Sequence, residues 1–423
     1  MQPSAHKLLA GLAVREAHAH LLWHGQAMDR VDLSACTSAQ EAVELVAQRR
    51  RDRDGPIIAG GARPDAWDPP GWPALAELDR AAGDRACTLW CFDTHSAMAS
   101  SAALSRASLT ADAPDPADGV IGRDGRGRLT GVLSESAVEP LRRIDEEDEH
   151  AARRHVEFAL GDLADRGFSE VHDLKTQPFV RDILRDVHGR GMRLVLHPLV
   201  EDLGGFARTR DEWETDNLRL GGGKIFVDGT LNSRTAWMLD DWCDAGASPH
   251  PRGVQMMPES DIERAIRTCD GLGVPMAAHA IGDAAVRAVL DAIERVRPET
   301  TGFRIEHCQF VHPADAPRFA ELGVIASVQP CHLLYDIEAL HRAAPDRLDR
   351  VLPLRSLIDA GCTPGASMIF GSDTPVVRPD PGDSLQAAIE RRRVGTDATE
   401  AIAAQQAISY SEAVACFRCL PEG

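Results

Sequence analysis

From about residue 150 to residue 373 the chain repeats one pattern, a short apolar run of four to eight residues alternating with an amphipathic helix that often closes on glycine. The stretch ARRHVEFALGDLADRG leads into SEVHD (169–173), and FVRDILRDVHGRG leads into RLVLHPLV (193–200). A polar, Trp-containing loop then precedes KIFVD (224–228). SDIERAIRTCDGLG precedes PMAAHA (275–280), DAAVRAVLDAIERV precedes FRIEHC (303–308), and ADAPRFAELG precedes VIASVQ (324–329). LRSLIDAG is followed by SMIFGSD (367–373). Strand-length apolar runs separated by helical periodicity define βαβ units and a parallel sheet. With EAHAHLL near residue 18 the strands number eight, which predicts an α/β fold of the (β/α)8 TIM-barrel type over a doubly wound sheet. The glycine fingerprint of a dinucleotide-binding turn is missing: GGG at 221–223 precedes a strand and reads as a loop feature.

The expected organisation is a first barrel strand in residues 1–25, an insertion in 26–150, the remaining barrel in 151–385 and a C-terminal helical segment in 386–423. The insertion holds a helix (TSAQEAVELVAQRR), a strand (PIIAGG), the Pro/Trp-rich RPDAWDPPGWPALAELD, ACTLWCFDTH, and GVIGRDGRGRLTGVL, which reads as a hairpin. Falling between the first two barrel strands, it is expected to lie as a lid over the barrel mouth, where barrel loops carry specificity. After Asp373 the sequences DSLQAAIERRR, TEAIAAQQAI and SYSEAVACFR read as helices.

A chain of 423 residues at 43% hydrophobic content can bury a large core. Its net charge of −19 and its acid-interrupted basic patch, RRRDRD, exclude a nucleic-acid surface. No stretch approaches the ~20 apolar residues of a membrane span, and no signal peptide is read at the N-terminus. Ten scattered cysteines, with local pairs Cys87/Cys91 and Cys416/Cys419, imply free thiols in a reducing, cytoplasmic setting.

Ligand-type residues fall at the ends of the apolar runs: His18 and His20 in EAHAHL, His279 in AAHAIGD, His307 in RIEHC and Asp373 in FGSD, with Lys224 at the start of KIFVD. Period-two alternation points His18 and His20 to one side, able to grip one ion together. Imidazole and carboxylate suit zinc or a similar divalent ion. A parallel barrel assembles one site from many strand ends in this way. An ammonium is no ligand, so Lys224 is either neutral, or converted by carbon dioxide to a carbamate that bridges two ions, or a strand-start lysine directed outward. Asp373 is either a proton acceptor at the metal or a helix N-cap ahead of Thr-Pro.

The order His-x-His, Lys, His, His, Asp on strands one, four, five, six and eight resembles the amidohydrolase superfamily. VDGTLNSRTA, HAIGDAAV, RIEHCQFV, LGVIASVQPCH and GSDTPV, together with DTHSAMASSAAL and GVLSESAV in the insertion, resemble amidohydrolase family 3, the YtcJ-like branch that includes N-substituted formamide deformylases. The resemblance implies a metal-dependent hydrolase cleaving an amide-type C–N bond of a small molecule with a metal-activated water. It implies His18, His20, His279 and His307 as ligands, Lys224 as a ligand in carbamate form, and Asp373 as ligand and proton shuttle. His95 and His332 match histidines facing the substrate pocket, and Asp228 and Arg234 would orient a polar group of the substrate. One or two divalent ions, most simply zinc, are the implied cofactor. Ester, carbamate or cyclic-amide hydrolysis, deamination, and a non-catalytic binding scaffold remain as alternatives. The family's small β-sandwich is expected to be absent or vestigial, which would leave apolar surface for a homo-oligomer. Ser100 stands where the family carries Asn, and VRE replaces its Pro-Gly turn before His18.

Overall fold

The computed structural model describes residues 11–91, 96–116, 119–144, 149–187, 191–246 and 250–419; His95 lies outside the described residues. The chain divides into two compact units, residues 25–155 and the remainder on either side.

In the larger unit the strands lie in two parallel sheets. One is built, in order, from β1 (Val14–Ala19), β2 (Phe168–Leu174), β3 (Arg193–His197) and β4 (Leu218–Leu220). The other is built from β5 (Gly223–Phe226), β6 (Met276–Ala280), β7 (Arg304–His307), β8 (Ile325–Val328) and β9 (Met368–Phe370). Every pairing within them is parallel, so the expected α/β architecture with parallel sheets is present. β1 and β6 are unbroken buried runs of six and five residues, as in a parallel sheet packed on both faces, whereas β2, β3 and β4 each carry exposed or half-buried positions. The helix Asp283–Val296 shows the pattern that pays for this packing, burying Val286, Val289, Leu290 and Ile293 on its inner face.

The sheets meet at two places that set up the site. Lys224 bridges to Leu199, and its amide donates to Pro198 O at 2.7 Å. Ala19 bridges to Thr374; Asp373 N donates to His18 O at 2.7 Å and His20 N to Thr374 O at 3.0 Å. Gly222, with φ +147°, lies just before β5, where a Cβ would sit 2.1 Å from Pro275 O next to the start of β6.

Two sequence expectations are corrected in this unit. The segment after β3 is no simple loop: it forms helices Val200–Arg208 and Arg210–Trp213 and then β4. Gly204 and Gly205 mask its helical periodicity, while Leu203, Phe206 and Trp213 are buried and Trp213 Nε1 donates to Phe206 O at 3.1 Å. TEAIAAQQAI forms only short 3-10 turns, Ala398–Glu400 and Ala404–Gln406. Its backbone is instead recruited by the buried Arg391, whose Nε donates to Ile402 O at 3.0 Å. The other two expected C-terminal helices form as Pro381–Glu390 and Tyr410–Phe417. Among the described residues no strand follows β9, only an isolated bridge from Arg418 to Val14.

Residues 25–155 carry their own sheet, in the order Val31–Asp32, Ile57–Ala62, Cys87–Cys91, Ser96–Ala99, Leu129–Glu135, Gly119–Arg123. The first three strands pair in parallel and the rest antiparallel, the last two being the hairpin read from sequence. The helix Ala39–Asp52 begins where Ser38 Oγ accepts from Glu41 N at 3.2 Å. Ser100 also has a structural post: its hydroxyl accepts from Cys87 N at 3.0 Å and from Ala103 N at 3.3 Å, capping Ser101–Arg106. Among the described residues no disulfide joins any of the ten cysteines, and no helix is long and apolar enough to cross a membrane.

Candidate metal centre

Strand ends of the larger unit bring His18, His20, His307 and Asp373 together. Ligand atoms of His18, His307 and Asp373 lie within 4.8 Å of one another. Asp373 Oδ1 is 3.2 Å from His18 Nε2 and 3.0 Å from His20 Nε2. In both imidazoles Nδ1 is engaged elsewhere. His18 Nδ1 donates to Glu306 Oε2 at 2.6 Å, and His20 Nδ1 donates to Leu174 O at 2.7 Å. Each Nε2 is thereby left facing an Asp373 carboxylate oxygen, an approach that only a cation, a proton on the nitrogen or a bound metal, makes favourable. Without a metal that cation is a proton: burial would lower His18, but Asp373 and Glu306 raise it. With the proton displaced, the same donor set fits a divalent metal.

The remaining expected ligands stand close by. The His279 ring centroid is 4.4 Å from that of His307, with His279 Nε2 donating to Gly229 O at 3.0 Å. His307 Nδ1 is buried with no hydrogen-bond partner among the described residues, and so is Lys224 Nζ, which lies 5.0 Å from the Phe226 ring. Lys224 is fully buried, the second residue of its strand, not at a strand end. Burial pushes its ammonium down to about 8 against the pull of Glu306 and Asp373. Burial lowers His279 to about 3 and holds His307 well below the usual imidazole range, keeping both neutral as ligands require. Burial would raise Asp373, but His18 and His20 hold it well below the ordinary carboxylate range, so it stays ionised. His307 and Asp373 have φ of 73° and 63°. Such left-handed geometry costs about 1–3 kcal/mol at a non-glycine residue and concentrates at functional sites.

The other sequence candidates lie differently. His332 Nε2 donates to Ser372 O at 3.0 Å and is 4.0 Å from Asp373 Oδ2. With His307, Gln309, Gln329 and Leu333 it lines a cavity beside the centre. Asp228 accepts from the amides of Ile281, Gly282 and Trp237 at 3.0, 2.8 and 2.9 Å, so its oxygens fix the loop around His279. Burial raises it to about 7. Arg234 pairs with Asp244 at 2.6 Å inside its own loop. The helix N-cap alternative for Asp373 does not occur: the next helix starts at Pro381 with Asp380 as its cap.

Glu306 and Arg304 were not foreseen. Glu306 is fully buried, holds His18, and pairs with Arg304 Nε at 2.6 Å, while Arg304 Nη2 donates to Ala17 O at 3.1 Å. Their signal was opposite charges two apart in an otherwise apolar strand, which period two places on one face. Arg304 Nη1 also donates to His172 Nδ1 at 3.1 Å, and His172 Nε2 donates to Glu170 at 3.2 Å. Burial and the Arg304 charge lower His172 to about 4. An imidazole whose folded pKa lies below its unfolded ~6.5 contributes stability above that pH and loses it as pH falls toward 4, up to about 3 kcal/mol. Urea unfolding of wild type and His172→Gln at pH 7.5 and pH 5 measures this. The variant is expected to lose less stability on acidification, and parallel losses would contradict the assignment.

The chain matches the amidohydrolase family over residues 13–421 and belongs to it. YtcJ of Bacillus subtilis (strain 168) is 28% identical over 390 residues, 89% of this chain and 72% of its own length. The N-substituted formamide deformylase of Arthrobacter pascens is 26% identical over 361 residues, 79% of this chain and 65% of its own. The chain thus spans 65–72% of the length of these relatives. Among solved structures, an uncharacterized metal-dependent hydrolase from Pyrococcus furiosus aligns with a TM-score of 0.75 at 27% identity, over 96% of this chain and 80% of that one. Its counterpart from Pyrococcus horikoshii OT3 shares the fold, with a TM-score of 0.77 at 24% identity over 96% of this chain and 79% of that one.

Proposed function

We propose that this chain is a metal-dependent hydrolase that cleaves an amide-type C–N bond of a small molecule. The observation that carries the reading is the convergence of His18 and His20 Nε2 on Asp373, with His307 completing the group. The two bridged junctions support closure of the sheets into an eight-stranded (β/α)8 barrel with β4 as an appendage, its strand ends presenting this group.

His18, His20, His279, His307 and Asp373 would hold the divalent ion, with zinc the simplest match to a nitrogen-rich set. When bound, the ion supplies Lewis acidity, polarising the substrate carbonyl and acidifying water. Lys224 is suited to carbamate formation: a buried amine lowered to about 8 is partly neutral near pH 7, adds to carbon dioxide through Nζ and releases a proton. Asp373, ionised and buried, accepts the proton of the attacking water on a carboxylate oxygen as the O–C bond forms. It returns that proton to the leaving nitrogen as the C–N bond breaks, giving a carboxylic acid and an amine. His332, 4.0 Å from Asp373 Oδ2 and lining the adjoining cavity, would face the substrate. Glu306 keeps His18 in the tautomer that frees Nε2.

The test is amine release from a panel of N-formyl and N-acyl amines by zinc-loaded protein, with matched esters alongside. The reading predicts amide turnover that a chelator removes and zinc restores. Turnover indifferent to chelation, or confined to esters, would contradict it.

A further inference from the structure

Only three of the 46 basic residues of this chain are lysine: Lys7, Lys175 and Lys224. Arginine therefore supplies nearly all positive charge, and a lysine marks a place where a compact ammonium with freely rotating donors differs in use from a planar fork. Lys7 lies outside the described residues. Lys224 is the buried amine of the metal centre. Lys175 stands immediately after β2, next to Leu174, whose carbonyl receives the Nδ1 proton of His20.

The Lys175 side chain is half-buried in a cavity whose lining also includes His20, Trp23, Asp173 and Gln177. Its Nζ lies 4.8 Å from the Trp23 ring centroid and 5.9 Å from that of Phe226, the ring that also faces Lys224 Nζ. Trp23 in turn packs on His20 with centroids 4.8 Å apart. The ammonium is thus two ring contacts from a candidate ligand, a span that a molecule of amino-acid size covers. The backbone is fixed in place, with Lys175 N donating to His197 O at 2.7 Å and φ at 65°. Among the described residues the ammonium has no ion-pair partner and no side-chain hydrogen bond. The carboxylate sharing the cavity, Asp173, is committed to Leu21 N and Thr176 Oγ1, both at 2.7 Å. In a chain of net charge −19, a cation held beside the centre without an acidic partner is a local exception to the field an anion would meet.

We propose that Lys175 anchors a carboxylate of the substrate, so that the amide hydrolysed is an N-formylated or N-acylated amine carrying a carboxylate within a few bonds of the scissile nitrogen. This rests on the hydrolase reading above. One ammonium matches one monoanion; the aromatic walls of Trp23 and Phe226 desolvate the pair and steady the lysine stem. A charge-assisted contact of this kind is worth about 10- to 100-fold in kcat/KM.

The experiment compares N-formyl and N-acetyl amino acids with their neutral carboxamide counterparts, using zinc-loaded wild type, Lys175→Met and Lys175→Arg. A second readout is calorimetric binding of N-methanesulfonyl amino acids, whose sulfonamide resists hydrolysis. Wild type is expected to prefer the acids by at least about tenfold. That ratio should collapse toward one in Lys175→Met, mainly through KM, and recover in part in Lys175→Arg. Binding of the sulfonamides should weaken in parallel. Amide turnover without preference for the acids, or an equal loss on both series in Lys175→Met, overturns the proposal and leaves the hydrolase reading standing. Sulfonamide binding that depends on Lys175 without amide turnover supports the anchor and overturns the hydrolase reading. Absence of both overturns both.

Discussion

Asp373→Asn is expected to lower kcat for amide hydrolysis by about 10³-fold with the fold intact, within the range of a lost general acid–base group. The change is nearly isosteric, so the hydrogen bond from Asp373 N to His18 O and the turn at φ 63° should persist. What disappears is the anion. Asp373 is held ionised by His18 and His20 around it, and an amide can neither take a proton from water nor hand one to a leaving nitrogen. The carboxamide also turns either a neutral oxygen or an N–H toward the histidines, weakening the ligand set. Steady-state kinetics on a substrate found active, with circular dichroism to verify folding, decide the matter. More than a tenth of wild-type kcat in the variant would remove Asp373 from the chemistry.

The largest expected effect on stability comes from a residue outside the ligand set. Arg391 is fully buried, and its guanidinium donates to Ile402 O, Leu352 O and Val351 O at 3.0, 3.1 and 2.7 Å. Burial brings it down to about 9, so it is still charged at neutral pH. Arg391→Met keeps the stem and strands three buried carbonyls. At about 1–3 kcal/mol for each unsatisfied group, the variant should lose roughly 4 kcal/mol or more. Urea denaturation measures this; a loss below about 1 kcal/mol would mean that water or a shifted backbone replaces the guanidinium.

How much was readable in advance depended on what each residue must do. Eight of the nine described β-strands of the larger unit were legible, β4 being the exception, because buried strands form short apolar runs and the helices between them keep their own period. Histidines and an aspartate at the ends of such runs stood out because those side chains have little reason to be there otherwise. Arg304 and Glu306 did not stand out. Alternation places them on one face of β7, but period two cannot distinguish a face turned to water from one turned into a closed interior. Helix Val200–Arg208 was hidden by Gly204–Gly205, and the stretch around 398–407 has helical composition yet is folded by Arg391 from outside the segment. Lys175 belongs to no motif, and its signal in the sequence is compositional, a lysine among so many arginines.

The central claim is that His18, His20, His307 and Asp373 form a metal centre, and metal analysis of the purified chain tests it most directly. Wild type, His18→Ala and His307→Ala, loaded with zinc and freed of loose ions by gel filtration, are compared by elemental analysis and thermal unfolding. The account predicts at least about one zinc per wild-type chain, a clear fall in both variants, and thermal stabilisation by zinc of the wild type alone. Wild type retaining less than about a tenth of an equivalent, or variants that retain zinc as wild type does, would contradict it.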